Sequence, residues 1–436
     1  MHRNMLTLSR LAIATVAFAA AGSAAAVDLY GGGATFPAPA YVGDLYNSTT
    51  PKARLSRSAG MLPSVTAYQA AGLGNSTGTL VPVFSKYASL TSNKVSYCQT
   101  GSGMGKNVLN QNGIFANGQC FDNATASKDI TGFTSNDPVT DFIGSDSPIS
   151  TADYNTFNTN MSATRGAIVQ IPTLAGAIAI PYNETNVPAG LQPLALTTEQ
   201  VCKIYGRQFT LWSQVNASLP ANAIKIVYRK DGSGTTFAFT SFLTAKCNTA
   251  YGTSFSPNQN FAAAMGAQDP ADPTLVPGAW GWTAATGNNN VVSTVKTTAD
   301  AAGYADVAEV VNQSAKYALV DGFNPTTMPA SLNILPASIQ QGLVLNGAAT
   351  AAVPGSGTTA QKNCLKLVSS SAPISGAYPI VAVTYINAYY SGNGSTKAPA
   401  LRDLLKLFYN TTNAPALPTG YSYLSGNALL RTQMSS

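Results

Sequence analysis

Arg229-Lys230-Asp231-Gly232-Ser233-Gly234-Thr235 is the stretch of this chain whose residue types are best placed to do chemistry. An arginine presents a planar fork of N–H donors that matches paired anionic oxygens. Ser233 and Thr235 add hydroxyl donors, and the glycines leave backbone N–H groups sterically open. A helix starting here would aim its unpaired N–H groups and the positive end of its dipole at the same point. Three further clusters carry similar ingredients: Gly31-Gly32-Gly33-Ala34-Thr35-Phe36, Gly101-Ser102-Gly103 and Gly144-Ser145-Asp146-Ser147. Together they describe a cage for a tetrahedral oxyanion. A charge-assisted hydrogen bond contributes roughly 1.5–3 kcal/mol net, and micromolar binding requires about 8 kcal/mol, so a handful of aimed donors is enough.

Asp146 is the odd member, because a carboxylate facing an anion repels it. It makes sense if the ligand carries a proton of its own: hydrogen phosphate can donate to Asp146, whereas sulfate would leave two acceptors face to face. Asp231 is expected to pair with Arg229 and orient it. Each cluster also has a plainer reading. A Gly-Ser-Gly turn before a helix can be only a cap, Asp146 a loop cap, Arg229 a surface ion pair, and Asn288 a helix cap.

Other chemistries are excluded by residue type. The single histidine is His2, inside the leader described below, so the rest of the chain offers no Ser-His-Asp or Cys-His relay and no His-ligated zinc site. Gly232-Ser233-Gly234-Thr235 lacks the Gly-Lys pair of a phosphate-binding P-loop, and Gly101-x-Gly103-x-Gly105 is not the dinucleotide fingerprint. No cofactor and no metal site is expected. The formal net charge is +6, and Arg3 and Arg10 leave with the leader, which brings it to +4. Without a basic block, nucleic acid is not an expected partner.

The clusters need elements to hold them. Ala223-Ile224-Lys225-Ile226-Val227-Tyr228 reads as a strand leading into the Asp231–Thr235 turn, after which Phe239, Phe242 and Leu243 fall at helical spacing. Further strands are predicted at Asp141-Phe142-Ile143, Ala177-Ile178-Ala179-Ile180 and 379–385. Helices are predicted around Leu401, Leu404, Leu405 and Phe408, and from Gly287-Asn288-Asn289-Asn290, where an Asn can cap the first turn before Val291, Val292 and Val295. Strand, polar turn, helix is the rhythm of an α/β fold. Segments 50–92 and 106–140, dense in Ser, Thr, Asn and Gly, read as loop-rich additions.

Met1-His2-Arg3-Asn4, an apolar run from Leu11 to Phe18 and Ala24-Ala25-Ala26 read as a signal peptide cleaved after Ala26. The remaining length exceeds what one core normally supports, so two lobes are expected. Charged residues make up 10% of the chain against roughly 25% in an average soluble domain, so hydroxyls and amides must carry solubility. In an exported chain the five cysteines are disulfide candidates. Pairs Cys98–Cys120 and Cys202–Cys247 are expected, each bracketing one local segment, with Cys364 left free. No cysteine lies at the cleavage site, so a lipid anchor is not expected.

In chain order, Gly31–Pro39, Gly144-Ser145-Asp146-Ser147-Pro148-Ile149-Ser150 and Arg229–Phe237 resemble the phosphate-binding protein of the bacterial phosphate ABC transporter, the PstS family, and its DING-type relatives. Ile204-Tyr205-Gly206 with Trp212, Ala301-Ala302-Gly303-Tyr304 and Leu417–Tyr421 extend the likeness over most of the chain. The resemblance implies a two-lobe periplasmic solute-binding fold of type II. Each lobe would be a mixed sheet flanked by helices, with lobe I formed by 27–183 plus 378–436 and lobe II by 184–377. Hinge strands would lie near 180–186 and 374–380, and the cleft would close on ligand. Phosphate contacts would fall on Thr35 and Phe36 through the first loop, Ser102, Asp146, Arg229, Ser233, Gly234 and Thr235, with Asp231 bracing the arginine. The implied function is phosphate capture for ABC-type uptake by a periplasmic or secreted monomer that is not an enzyme, working with an inner-membrane permease. The alternatives are a secreted DING-type phosphatase and an extracellular adhesin or matrix protein that keeps the fold. Two departures stand out: Gly103 occupies the place of a second family serine, and a long segment containing Cys120 follows Gly105.

Overall fold

The structure is a computed structural model that describes residues 27–42, 53–56, 82–91, 93–111, 139–184, 186–265, 281–347, 349–353, 362–369, 372, 374–426 and 428–435. The leader, Cys120 and most of the two predicted additions lie outside these residues. Within the first addition, Ala53–Ser56 is a strand and Val83–Thr91 a helix. The second begins inside the helix Ser102–Gln111. Both therefore include framework: Val83, Phe84 and Tyr87 recur at helical spacing and are buried in the core.

Two mixed sheets organise the molecule. The larger runs in the order Ala305–Asp306, Ile168–Ala179, Val381–Tyr389, Phe142–Ser145, Asp28–Gly33, Lys94–Gln99, Ala53–Ser56, with Tyr421–Tyr423 also paired to Ile168–Ala179. Asp28–Gly33 is parallel to both its neighbours, so the loops that follow Gly33, Gln99 and Ser145 leave the sheet at one end. These loops are the first three glycine-rich clusters. The smaller sheet orders Tyr182–Asn183, Ala301–Gly303, Lys225–Arg229, Thr283–Ala285, and its last three strands are parallel. Arg229 ends its strand, and the helix Gly234–Tyr251 begins after the four residues 230–233.

The predicted strand at 177–180 is the end of a longer one, Ile168–Ala179. Pro172 masks it in the sequence, since a proline cannot donate to the ladder. The pairing register shifts between Thr384 and Tyr385, opposite Pro172, which takes the proline into an irregularity of the sheet.

The chain passes between sheets at Ile180-Pro181 and again at Tyr304, between Ala301–Gly303 of the smaller sheet and Ala305–Asp306 of the larger. After Asp306 the chain returns to pair Leu319–Val320 with Ala195–Leu196, and 374–380 later feeds the larger sheet at Val381, with Ile178 N–H bonded to Ile380 C=O at 2.9 Å. Segment 184–377 does not stay with the smaller sheet. Besides Ala305–Asp306, its residues Ser331, Leu345 and Leu365 bridge to Tyr423, Ser150 and Gln170. Nothing in the local sequence marks this return, because strand partners are chosen by distant surfaces.

Candidate functional site

The four clusters converge. Ala34 N–H bonds Gly144 C=O at 2.9 Å and Gly101 N–H bonds Gly33 C=O at 2.7 Å, tying the first three loops together. Gly33, with φ +122°, lies so close to Gly144 that a Cβ there would be 2.2 Å from the Gly144 oxygen, a position only glycine can fill. Ser102 Oγ accepts from the Asp146 N–H at 3.0 Å and reaches Asp146 Oδ2 at 3.4 Å. The fourth cluster comes from the other sheet. A Cβ on Gly234 would be 2.3 Å from Ser102 Oγ and 2.5 Å from Asp146 Cβ, so the helix N-terminus abuts the loops across the molecule.

Arg229 is 2% exposed. Its Nε donates to Asp231 Oδ1 at 2.7 Å, a second nitrogen donates to Asp231 Oδ2, and its third donates to Asn288 Oδ1 at 2.7 Å. Two N–H groups of the fork remain beyond these three bonds. Burial works against the carboxylate of Asp231, but the hydrogen bonds and charge of Arg229 hold it below the usual range. The bracing expected of Asp231 is thus present in the geometry.

Asn288 is not a cap. The helix Gly287–Thr297 has Thr286 at its N-cap without a side-chain cap bond, while Asn288 is 1% exposed and faces inward. Its Oδ1 accepts from Arg229, and its Nδ2 donates to Asp306 Oδ2 and lies 3.4 Å from Thr235 Oγ1. Asp306 caps the helix Val307–Asn312 through Glu309 N–H, and burial pushes it up to about 6. Tyr304 completes this layer: its hydroxyl accepts from Arg229 N–H at 3.1 Å and pairs with Thr236 Oγ1 at 2.8 Å. Local sequence offered the run of three asparagines as a signal for Asn288 and the Ala301-Ala302-Gly303-Tyr304 likeness for Tyr304, but no role for either behind Arg229, and nothing for Asp306.

Ser233 is the N-cap of the helix Gly234–Tyr251. Its hydroxyl oxygen accepts from Thr236 N–H at 3.1 Å as an N-cap, which leaves the hydroxyl hydrogen to donate. Thr235 is 1% exposed and Thr35 9%. The Phe36 ring belongs to the core, 5.4 Å from that of Tyr421, and its carbonyl accepts from the Tyr421 hydroxyl. Phe36 can therefore offer an anion only its backbone.

Asp146 is 3% exposed, and its Oδ1 is buried without a hydrogen-bond partner among the described residues. Burial pushes its pKa up to about 7; the buried Thr384 hydroxyl, near enough to act on the carboxylate, works the other way first, and the charge of Arg229 after it. A buried acceptor with no donor is costly unless a donor arrives. The arrangement therefore offers a helix N-terminus, the hydroxyls of Ser102, Ser233 and Thr235 and a guanidinium as donors, and one carboxylate oxygen as acceptor.

A family model described as a PBP superfamily domain matches residues 58–411, more than half of the chain. The chain belongs to the PBP superfamily. Among PBP-like relatives, Alkaline phosphatase L of Pseudomonas aeruginosa is 34% identical over 53% of this chain and 55% of its own length. The phosphate-binding protein PstS of Methanocaldococcus jannaschii is 26% identical over 54% of this chain and 58% of its own. The chain thus spans about half the length of these curated relatives. A periplasmic phosphate-binding protein of DING type, solved with phosphate bound, matches with a TM-score of 0.55 at 19% identity, covering 93% of each chain. The phosphate-binding protein from Stenotrophomonas maltophilia matches with a TM-score of 0.54 at 23% identity, over 94% of this chain and 90% of that one. These likenesses establish the two-lobe α/β solute-binding fold, and the relatives agree with the resemblance read from the motifs. In the described part of this PBP-superfamily chain, Cys202–Cys247 is a disulfide and Cys364 is free. Pair Cys98–Cys120 involves a residue outside that part. Among the described residues no helix is long and apolar enough to cross a membrane.

Proposed function

We propose that this chain is an exported solute-binding protein that captures inorganic phosphate between its lobes and presents it to an ABC-type permease. The observation that carries the reading is the unpartnered, buried Oδ1 of Asp146 beside the donor set of Ser102, Arg229 and the Ser233-Gly234-Thr235 turn. Hydrogen phosphate satisfies both halves of this site, with anionic oxygens on the donors and its P–O–H on Asp146. Fully deprotonated sulfate satisfies only the first half and is opposed by the carboxylate. Asn288 and Asp231 hold Arg229 in place, and Thr35 and the Phe36 backbone line the first loop. Relatives named as phosphate-binding proteins support the choice of ligand.

Titration calorimetry with phosphate and with sulfate tests this directly. Phosphate should bind one per chain and sulfate at least about a hundredfold more weakly, the size of an uncompensated buried charge contact. Equal heats for both anions, or none with phosphate, would overturn the proposal. A phosphatase is the second reading, and the relatives named Alkaline phosphatase L are its specific support. Turnover of p-nitrophenyl phosphate by the purified chain, with divalent metals added, decides between them.

A further inference from the structure

A second cavity, of about 550 Å3, lies where the strands Ile168–Ala179 and Val381–Tyr389 meet the helix Gly394–Leu407, and it shares no lining residue with the oxyanion cluster. Its size is within the range of about 300–1,000 Å3 for sites that hold organic ligands. Val169, Ile171, Leu401 and Leu405 supply aliphatic walls. Paired strand residues point to one face, so Val169 and Ala388, partners in the register, present a continuous apolar floor.

The charges around this floor are all of one sign. Lys366, Arg402 and Lys406 line the cavity, and no carboxylate does among the described residues. Lys366 is 4% exposed, yet none of the three cations has an ion-pair partner among the described residues. Buried lysines are almost always paired. Burial holds the Lys366 ammonium below the usual lysine range, with the neighbouring Cys364 acting the other way. An anion in the cavity would remove that penalty.

We propose that this cavity is a second binding site, for a single-chain amphiphile with an anionic head. The tail lies along Val169, Ile171, Leu401 and Leu405, and the head meets Lys366, with Arg402 and Lys406 at the rim. Apolar walls with three unpaired cations select this class: a bare inorganic anion leaves the walls unfilled, and a neutral or cationic chain leaves Lys366 uncompensated or repelled. The site is independent of the oxyanion reading.

The test uses the full mature chain and three probes with the same tail: dodecanoate, dodecyl maltoside and dodecyltrimethylammonium, each titrated below its micelle-forming concentration. Dodecanoate should bind saturably, one per chain, and the other two should not. Lys366→Met should weaken dodecanoate by about tenfold or more, the size of a lost charge-assisted bond, while leaving the phosphate titration unchanged. Should Lys366→Met fail to fold, the variant Arg402→Gln/Lys406→Gln, which alters the rim, must weaken dodecanoate in the same direction. No saturable dodecanoate binding, equal binding of all three probes, or wild-type affinity in both variants would overturn the proposal. Phosphate titration of the same sample reads the oxyanion site separately, so the two proposals fail independently.

Discussion

At the scale of single residues the site divides into groups that would touch an anion and groups that place them. Asp146 belongs to the first kind, and its burial gives it a pH signature. Folded, it holds its proton up to about 7 rather than the ordinary 3.8, so its contribution to stability is full below the lower value and is lost as pH rises through the upper. Asp306, pushed up to about 6, has the same sign and is present in both proteins compared. Ligand-free Asp146→Asn should therefore gain on wild type between about pH 4 and about pH 7 and hold that gain above, as read from urea midpoints. The same variant should narrow the preference for phosphate over sulfate. Asn288 is of the second kind. Asn288→Ala would leave an Arg229 N–H and the Asp306 carboxylate short of a partner, at a cost of about 1–3 kcal/mol in stability, with phosphate affinity lowered as the guanidinium loses one of its guides. Arg229, Asp231 and Ser233 were legible in the sequence because they are adjacent and chemically distinctive. Asn288 was not, since an asparagine in the first turn of a helix reads as a cap and only packing turns it inward.

At the scale of elements, the contact between the helix Gly234–Tyr251 and the loops of the larger sheet is where the proposed site is assembled. Gly234→Ala places a methyl group 2.3 Å from Ser102 Oγ and 2.5 Å from Asp146 Cβ. Phosphate affinity should fall by more than about tenfold, and X-ray scattering should show the phosphate-saturated variant more open than wild type. The Cys202–Cys247 bond joins this helix to Thr198–Tyr205 across a separation of 45 residues. Replacing both cysteines with alanine should cost about 2–4 kcal/mol, measured as a shift in the urea midpoint that a reducing agent reproduces in wild type. The strand and helix around the Asp231–Thr235 turn could be read from alternation and spacing. Ile168–Ala179 could be read only at its end, because Pro172 looks like a terminator until the sheet irregularity beside it is seen.

For the whole molecule, two sheets contribute residues to the proposed site, so phosphate bound there would tie them together. A ligand that binds only the folded chain adds about 2.7 kcal/mol at a hundredfold excess over its dissociation constant. Phosphate at that excess should raise the melting temperature, and the same concentration of sulfate should not. Scanning calorimetry with matched ionic strength separates this from a general salt effect.

The sequence by itself determined the chemistry on offer: an arginine beside an aspartate, glycine-rich turns, a carboxylate among donors, and no histidine after His2. These are properties of residue type and short spacing, which the chain carries whatever its fold. Only the tertiary structure decided that four loops drawn from two sheets meet, that Tyr304 is a crossing, and that Asn288 and Asp306 stand behind Arg229. Those facts depend on which distant surfaces bury one another, and burial is what lifts Asp146 above the ordinary carboxylate range.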